Sequence, residues 1–200
     1  MENNNVVIYP ELARLIHELR REGDLIPADR KHSLLGLREF VRGGGALNFI
    51  CTHNSRRSHL GMIWAAVAAH LSGRPLATYS GGTEATALNP RMVAALQRAG
   101  FRVEDPGGDN PRYRVSFAED VAPLTCFSKR YDDPVNPTAG FAAVMTCSEA
   151  DENCPFIPGA AKRIPLTYED PKVADDTLEE AERYDERLRQ VGREIIWALG

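Results

Sequence analysis

Apolar residues recur at three- and four-residue steps in two stretches near the start of the chain: Leu12, Leu15, Ile16 and Leu19, then Leu34, Leu37, Phe40 and Val41. That spacing predicts two amphipathic helices, each with one face to bury, and Gly43-Gly44-Gly45 ends the layer. The apolar run Leu47 to Ile50 predicts a strand. A polar loop opens at Cys51, and a helix follows through Met62, Ile63, Ala66 and Val67 to a stop at Gly73. Leu76 to Tyr79 reads as a second strand, and Asn89-Pro90 as the N-cap and first-turn proline of a helix that Gly100 closes. Residues 46–100 therefore read as one β-α-β-α unit.

Residues 104–111 are turn-rich, and Tyr113, Val115 and Phe117 then alternate as in a half-buried strand. Leu124 to Phe127 reads as a further strand. Phe141 to Thr146, ending at Cys147, and Ile164-Pro165-Leu166, leading to Asp170-Pro171, fit parallel-sheet strands whose carboxyl ends carry the chemistry. Leu178, Ala181, Tyr184, Leu188, Val191 and Ile195 predict a long closing helix. No internal repeat or low-complexity tract interrupts the pattern.

Two hundred residues with 43% apolar content suit a single domain, 1–200, since chains split into separate cores above about 250 residues. A formal net charge of -4 gives no chain-wide basic field, which argues against nucleic acid or an anionic membrane as partner. No apolar run approaches the roughly 18 residues of a membrane span, and Met1-Glu2-Asn3-Asn4-Asn5 is no leader peptide, so a cytoplasmic location is expected. Four cysteines are too few for a disulfide scaffold and are read singly, as redox, metal or core residues.

The densest chemistry lies in Cys51-Thr52-His53-Asn54-Ser55-Arg56-Arg57-Ser58, a C-x5-R-S frame between strand and helix. Successive backbone N–H groups in such a turn can converge on one anion, aided by the helix N-terminus, while an arginine fork clamps two of its oxygens. The same field favours a thiolate, so Cys51 is read as an activated nucleophile beneath its substrate. Thr52, His53, Asn54, Ser55, Arg56 and Ser58 complete the oxyanion loop. Ser58 is placed to hydrogen-bond the thiolate or to cap the helix, His53 at the loop rim, His59 on the helix surface, and Arg56 as surface potential. Cys147 and Cys154 stand seven apart and read as a redox pair; zinc is disfavoured, because all five histidines lie at or before residue 70 and no second close cysteine pair exists. Cys126 reads as a buried strand residue. Asp105, Asp133 and Asp170 all precede proline; Asp170 is preferred as a general acid because it follows a sheet strand.

These blocks resemble the low-molecular-weight tyrosine phosphatase superfamily and, within it, the thioredoxin-coupled arsenate reductases. The matching segments are Cys51 to Ser58, then Ser80-Gly-Gly-Thr-Glu84 with Leu88-Asn89-Pro90, and Cys147-Ser-Glu-Ala-Asp-Glu-Asn-Cys154-Pro155 followed by Asp170-Pro171. The resemblance implies an α/β fold with a four-stranded parallel sheet flanked by helices over 46–200, residues 1–44 being a helical extension. His53 stands where the family usually has glycine, and Arg56 where cysteine is frequent. Met62 occupies the place of a helix glutamate that helps bind potassium in some reductases, so no metal is carried over.

The implied activity is arsenate reduction. Cys51 attacks the arsenate, Arg57 holds it, Asp170 protonates the leaving oxygen, and Cys147 then Cys154 carry the disulfide to thioredoxin, with no bound cofactor. Hydrolysis of phosphotyrosine or small phosphoesters is the alternative, because phosphate and arsenate are near-isosteric. A binding protein that senses oxyanions or redox state is a third. Turnover separates the third from the others, and the cysteine pair favours the first over the second. Oligomeric state is left open.

Overall fold

The structure, a computed structural model, describes residues 7–153 and 156–200. Its centre is an all-parallel sheet in the order β2-β1-β6-β7, formed by β1 (Ala46–Cys51), β2 (Thr78–Gly82), β6 (Phe141–Met145) and β7 (Ala160–Pro165). Side chains alternate across it as strand geometry requires. Leu47 and Phe49 of β1 and Ala142 and Val144 of β6 join a large core on one face. Ile50, Cys51, Phe141, Ala143, Met145 and Cys147 form a smaller buried cluster on the other. The expected four-stranded α/β fold with helices ahead of it is what the structure shows.

Helix α3 (Arg57–Leu71) lies between the sheet and α6 (Glu180–Leu199), and is buried on almost every side. Two glycines permit this closeness. A Cβ at Gly61 would stand 2.3 Å from the Phe49 ring, and one at Gly192 2.6 Å from Trp64. Helices α1 (Pro10–Arg21) and α2 (Ala28–Arg42) bury the predicted stripes, with Leu12, Leu15, Ile16, Leu19, Leu34 and Leu37 inside and Phe40 and Val41 half-covered. Both pack mainly on α6, and α2 also reaches β7. Helix α4 (Pro90–Arg98) begins as the sequence indicates, Asn89 accepting from the Arg91 N–H at 2.9 Å.

Two expectations about the elements need correction. The second strand is Thr78–Gly82 rather than Leu76–Tyr79. Its two glycines lie where other backbone passes too close for a side chain: a Cβ at Gly81 would meet Tyr131 Cα at 2.3 Å. Tyr113 to Phe117 and Leu124 to Phe127 supply β4 (Tyr113–Ser116) and β5 (Leu124–Cys126), which join β3 (Arg102–Glu104) in a separate antiparallel sheet. Leu178 and Ala181 are exposed, so the buried stripe of α6 starts at Tyr184. A six-residue helix α5 (Ser148–Asn153) follows β6. No described helix is long and apolar enough to cross a membrane.

The extension is tied to the rest by a buried ion pair. Arg30 of α2 donates to both carboxylate oxygens of Glu194 on α6, at 3.1 and 2.5 Å, and to the Thr167 carbonyl at 2.7 Å, and it lies over the Tyr168 ring. Glu194 is 1% exposed, so removing its partner strands a charge out of water. Arg30→Met is expected to cost about 3–5 kcal/mol, read from urea denaturation midpoints. Arg30→Met with Glu194→Leu is expected to recover most of that loss, because the unpaired charge leaves with its partner.

Candidate active site

The C-x5-R-S segment leaves β1 at Cys51 and enters α3 at Arg57. Its turn requires Asn54 at φ 46°, a left-handed conformation that asparagine tolerates better than most residues. The buried Asn54 amide then locks the loop from within. Its Oδ1 accepts from the Lys129 backbone N–H at 3.0 Å, and its Nδ2 donates to Ser58 Oγ at 2.8 Å. Since the amide nitrogen can only donate, the Ser58 hydroxyl hydrogen is free to point at Cys51 Sγ, 3.1 Å away. Ser58 thus faces the nucleophile and lies inside the helix. The N-cap position falls to Arg56, whose side chain makes no capping bond.

Ser55 Oγ donates to the Ala87 carbonyl, and the Ser128 hydroxyl and Thr86 hydroxyl both donate to the His53 carbonyl. Loop carbonyls and side chains are thereby held outward. Among the described residues, no hydrogen bond engages the backbone N–H groups of residues 52–57. The arrangement can receive an anion at those amides.

Arg57 reaches across to the segment after β7, where it donates to Asp170 Oδ2 at 2.8 Å and to the Tyr168 carbonyl at 3.1 Å. Its buried Nε has no partner among the described residues. Asp170 is the one of the three Asp-Pro aspartates brought to the loop; Asp105 and Asp133 accept from the N–H two residues on, closing local turns. Arg56 corrects its expected role as a surface charge. It is largely covered, donates to Tyr184 Oη at 2.8 Å and Asp175 at 3.4 Å, and lies 3.8 Å from Asp170. Burial, with the Asp175 carboxylate beside it, pushes the Tyr184 phenol up to about 12.

Cys147, at the end of β6, is buried beside the loop, its Sγ 3.5 Å from Thr52 Oγ1. Cys154 lies outside the described residues. Cys126 is fully buried in β5, where desolvation pushes its thiol up to about 12. His53 sits half-exposed with its Nε2 3.5 Å from Glu84. Among the described residues no group of three or more His, Cys, Asp or Glu side chains could hold a metal ion.

No family model matches the chain. The arsenate reductase of Bacillus licheniformis is 30% identical over 148 residues, covering 74% of this chain and 89% of that protein. The chain belongs to the arsenate reductase family. The arsenate reductase of Bacillus subtilis strain 168 aligns over the same shares at 27% identity. A low molecular weight phosphotyrosine phosphatase from Vibrio cholerae O395 superimposes with a TM-score of 0.52 at 14% identity, over 77% of this chain and 93% of that one. That likeness concerns the fold. Like these relatives, the protein is an enzyme.

Two titratable groups behind the loop escape a sequence reading of this arsenate reductase relative. His59, expected on the helix surface, is fully buried because α3 is covered on both sides. Lys129 is also buried; its ammonium donates to Ser80 Oγ at 3.4 Å, and Ser80 Oγ in turn lies 3.3 Å from His59 Nδ1. No motif marks Lys129, and only the fold brings it under the loop. Burial pushes the lysine down to about 8. Burial, then the Lys129 charge, pushes the His59 imidazole down to about 3. The unfolded chain binds a proton on His59 below its ordinary value of 6.5, which the native state refuses until about 3, so stability falls with pH across that window. His59→Gln should flatten the loss of unfolding free energy between pH 6.5 and 5 by up to about 1.4 kcal/mol per pH unit, read by urea titration at each pH.

Proposed function

We propose that the protein reduces arsenate to arsenite, with thioredoxin as external reductant and no bound cofactor. Arsenate docks on the amides of residues 52–57 and competes with Asp170 for the Arg57 fork. The freed carboxyl then protonates the leaving oxygen as the Cys51 thiolate, supported by the Ser58 hydroxyl, attacks arsenic. Cys147 next attacks Cys51 Sγ and releases arsenite, and Cys154 takes over the disulfide and passes it to thioredoxin. A chemistry that depends on free thiols suits the reducing cytoplasm.

The observation that carries this reading is the second buried thiol, Cys147, at 3.5 Å from the hydroxyl of the loop residue next to Cys51. Phosphoester hydrolysis needs Cys51, Arg57 and Asp170 alone; a thiol relay needs Cys147 as well. The comparison is direct: purified protein on arsenate with the thioredoxin system, and on p-nitrophenyl phosphate without it. Hydrolysis without arsenate turnover would move the assignment to the phosphatase reading, and binding without turnover to a sensor.

Cys51→Ser and Arg57→Ala are expected to abolish arsenate reduction, and substantial turnover in either would overturn the mechanism. Asp170→Asn should slow it by about 10²–10⁴-fold, the usual contribution of a positioned acid. Cys154→Ser should reduce about one arsenate per enzyme and stop as a Cys51–Cys147 disulfide visible by mass spectrometry, whereas sustained turnover would remove Cys154 from the relay.

A further inference from the structure

Cys147 must lose a proton before it can attack Cys51, and at 1% exposure it has no direct contact with bulk water. Its surroundings offer one defined exit. Thr52 Oγ1 lies 3.5 Å from Cys147 Sγ and 3.0 Å from Glu149 Oε2. A hydroxyl carries one hydrogen and two lone pairs, and a carboxylate can only accept. The Thr52 hydrogen is therefore committed to Glu149, and the oxygen turns a lone pair toward the sulfur. The thiol is the donor in that pair. Glu149, two residues along the chain from Cys147, is itself exposed and so in contact with solvent.

We propose that Glu149 is the proton acceptor for Cys147, working through the Thr52 hydroxyl. The step rests on the arsenate reading above and deepens it. As Cys147 Sγ closes on Cys51 Sγ of the thiol–arsenate adduct, its proton moves to Thr52 Oγ1 and the Thr52 proton moves to Glu149. The sulfur–sulfur bond forms and the sulfur–arsenic bond breaks. Arsenic keeps that bond's electron pair and leaves as arsenite, and the two cysteines are oxidised together to the disulfide. The Ala150 N–H, donating to Cys147 Sγ at 3.4 Å, remains to support the sulfur as negative charge develops. Glu149 touches neither sulfur nor arsenic.

The other charged groups around the pair are accounted for. On α5 itself stand Asp151 and Glu152, and Asp151 is paired with Arg163 from β7. α5 packs on β1 and β6, whose sole titratable group is Cys51. From the loop come Arg57, held by Asp170, and His53, beside Glu84. None of these contacts Thr52 Oγ1, which makes the Glu149 link specific.

The test follows a single turnover in the full chain carrying Cys154→Ser, so that the first disulfide accumulates. Arsenate is added at pH 6 to 9.5, samples are acid-quenched, and the Cys51–Cys147 disulfide is counted by mass spectrometry. Adding Glu149→Gln is expected to slow its formation by about 100-fold at pH 7, the low end for a positioned base. The deficit should shrink toward pH 9.5 as hydroxide replaces the missing carboxylate. Thr52→Val should reproduce the loss, and Thr52→Ser, which restores the hydroxyl, should recover the rate. A Glu149→Gln rate within two-fold of its parent at every pH overturns the proposal, as does a deficit that is the same at every pH. If the parent itself forms no disulfide on arsenate, the arsenate reading fails and this step with it.

Discussion

The Asn54 side chain is the tie on which the loop geometry depends. It sits in the left-handed backbone region, fully buried, and bonds in two directions, to the Lys129 backbone and to Ser58. The first bond fixes which end of the amide faces which way. That orientation directs the Ser58 hydrogen to Cys51, while the backbone N–H groups of residues 52–57 carry no hydrogen bond among the described residues. A loop in any other conformation would lose the nucleophile's partner and the anion cradle together. The cost of a strained residue is accepted at a site where preorganised dipoles do most of the work.

A second layer of constraint comes from outside the sheet. Arg30 of the extension holds Thr167 and stacks on Tyr168, and the Tyr168 carbonyl in turn accepts from Arg57. The residues that precede Asp170 are thereby pinned between α2, α6 and the loop. The extension is thus built into the wall behind the acid-bearing segment. Arg56 adds to this from the other side through Tyr184 and Asp175. The aspartate segment and the nucleophile loop are bonded to each other through Arg56 and Arg57 and braced by side chains from α2 and α6, both distant in sequence.

Much of this was legible from local pattern. The stripes of α1 and α2, the strand before Cys51 and the Asn89-Pro90 helix start follow from side-chain periodicity and capping, which are short-range rules. β2 starts two residues later and ends three residues later than its apolar run indicates; the end escapes because glycines carry no strand signal and are there for close backbone passage. His59 and Arg56 were read as surface groups because both lie in polar sequence. Arg56 is covered by α6, more than 120 residues away, and His59 by β2 and the Lys129 segment.

By itself the sequence determined the reactive inventory: a thiol and an arginine at C-x5-R spacing after a strand, further cysteines, and three Asp-Pro aspartates. These are properties of adjacent residues and need no partner to be seen. Tertiary structure alone decided which aspartate reaches Arg57, that Cys147 and Glu149 share the Thr52 hydroxyl, and that Lys129 and His59 lie in the dark behind the loop. The first two depend on parallel strands bringing distant carboxyl ends side by side, and the third on the segment after β5 folding under α3. A hydrogen bond of about 3 Å is a fact of that packing, and no spacing along the chain encodes it.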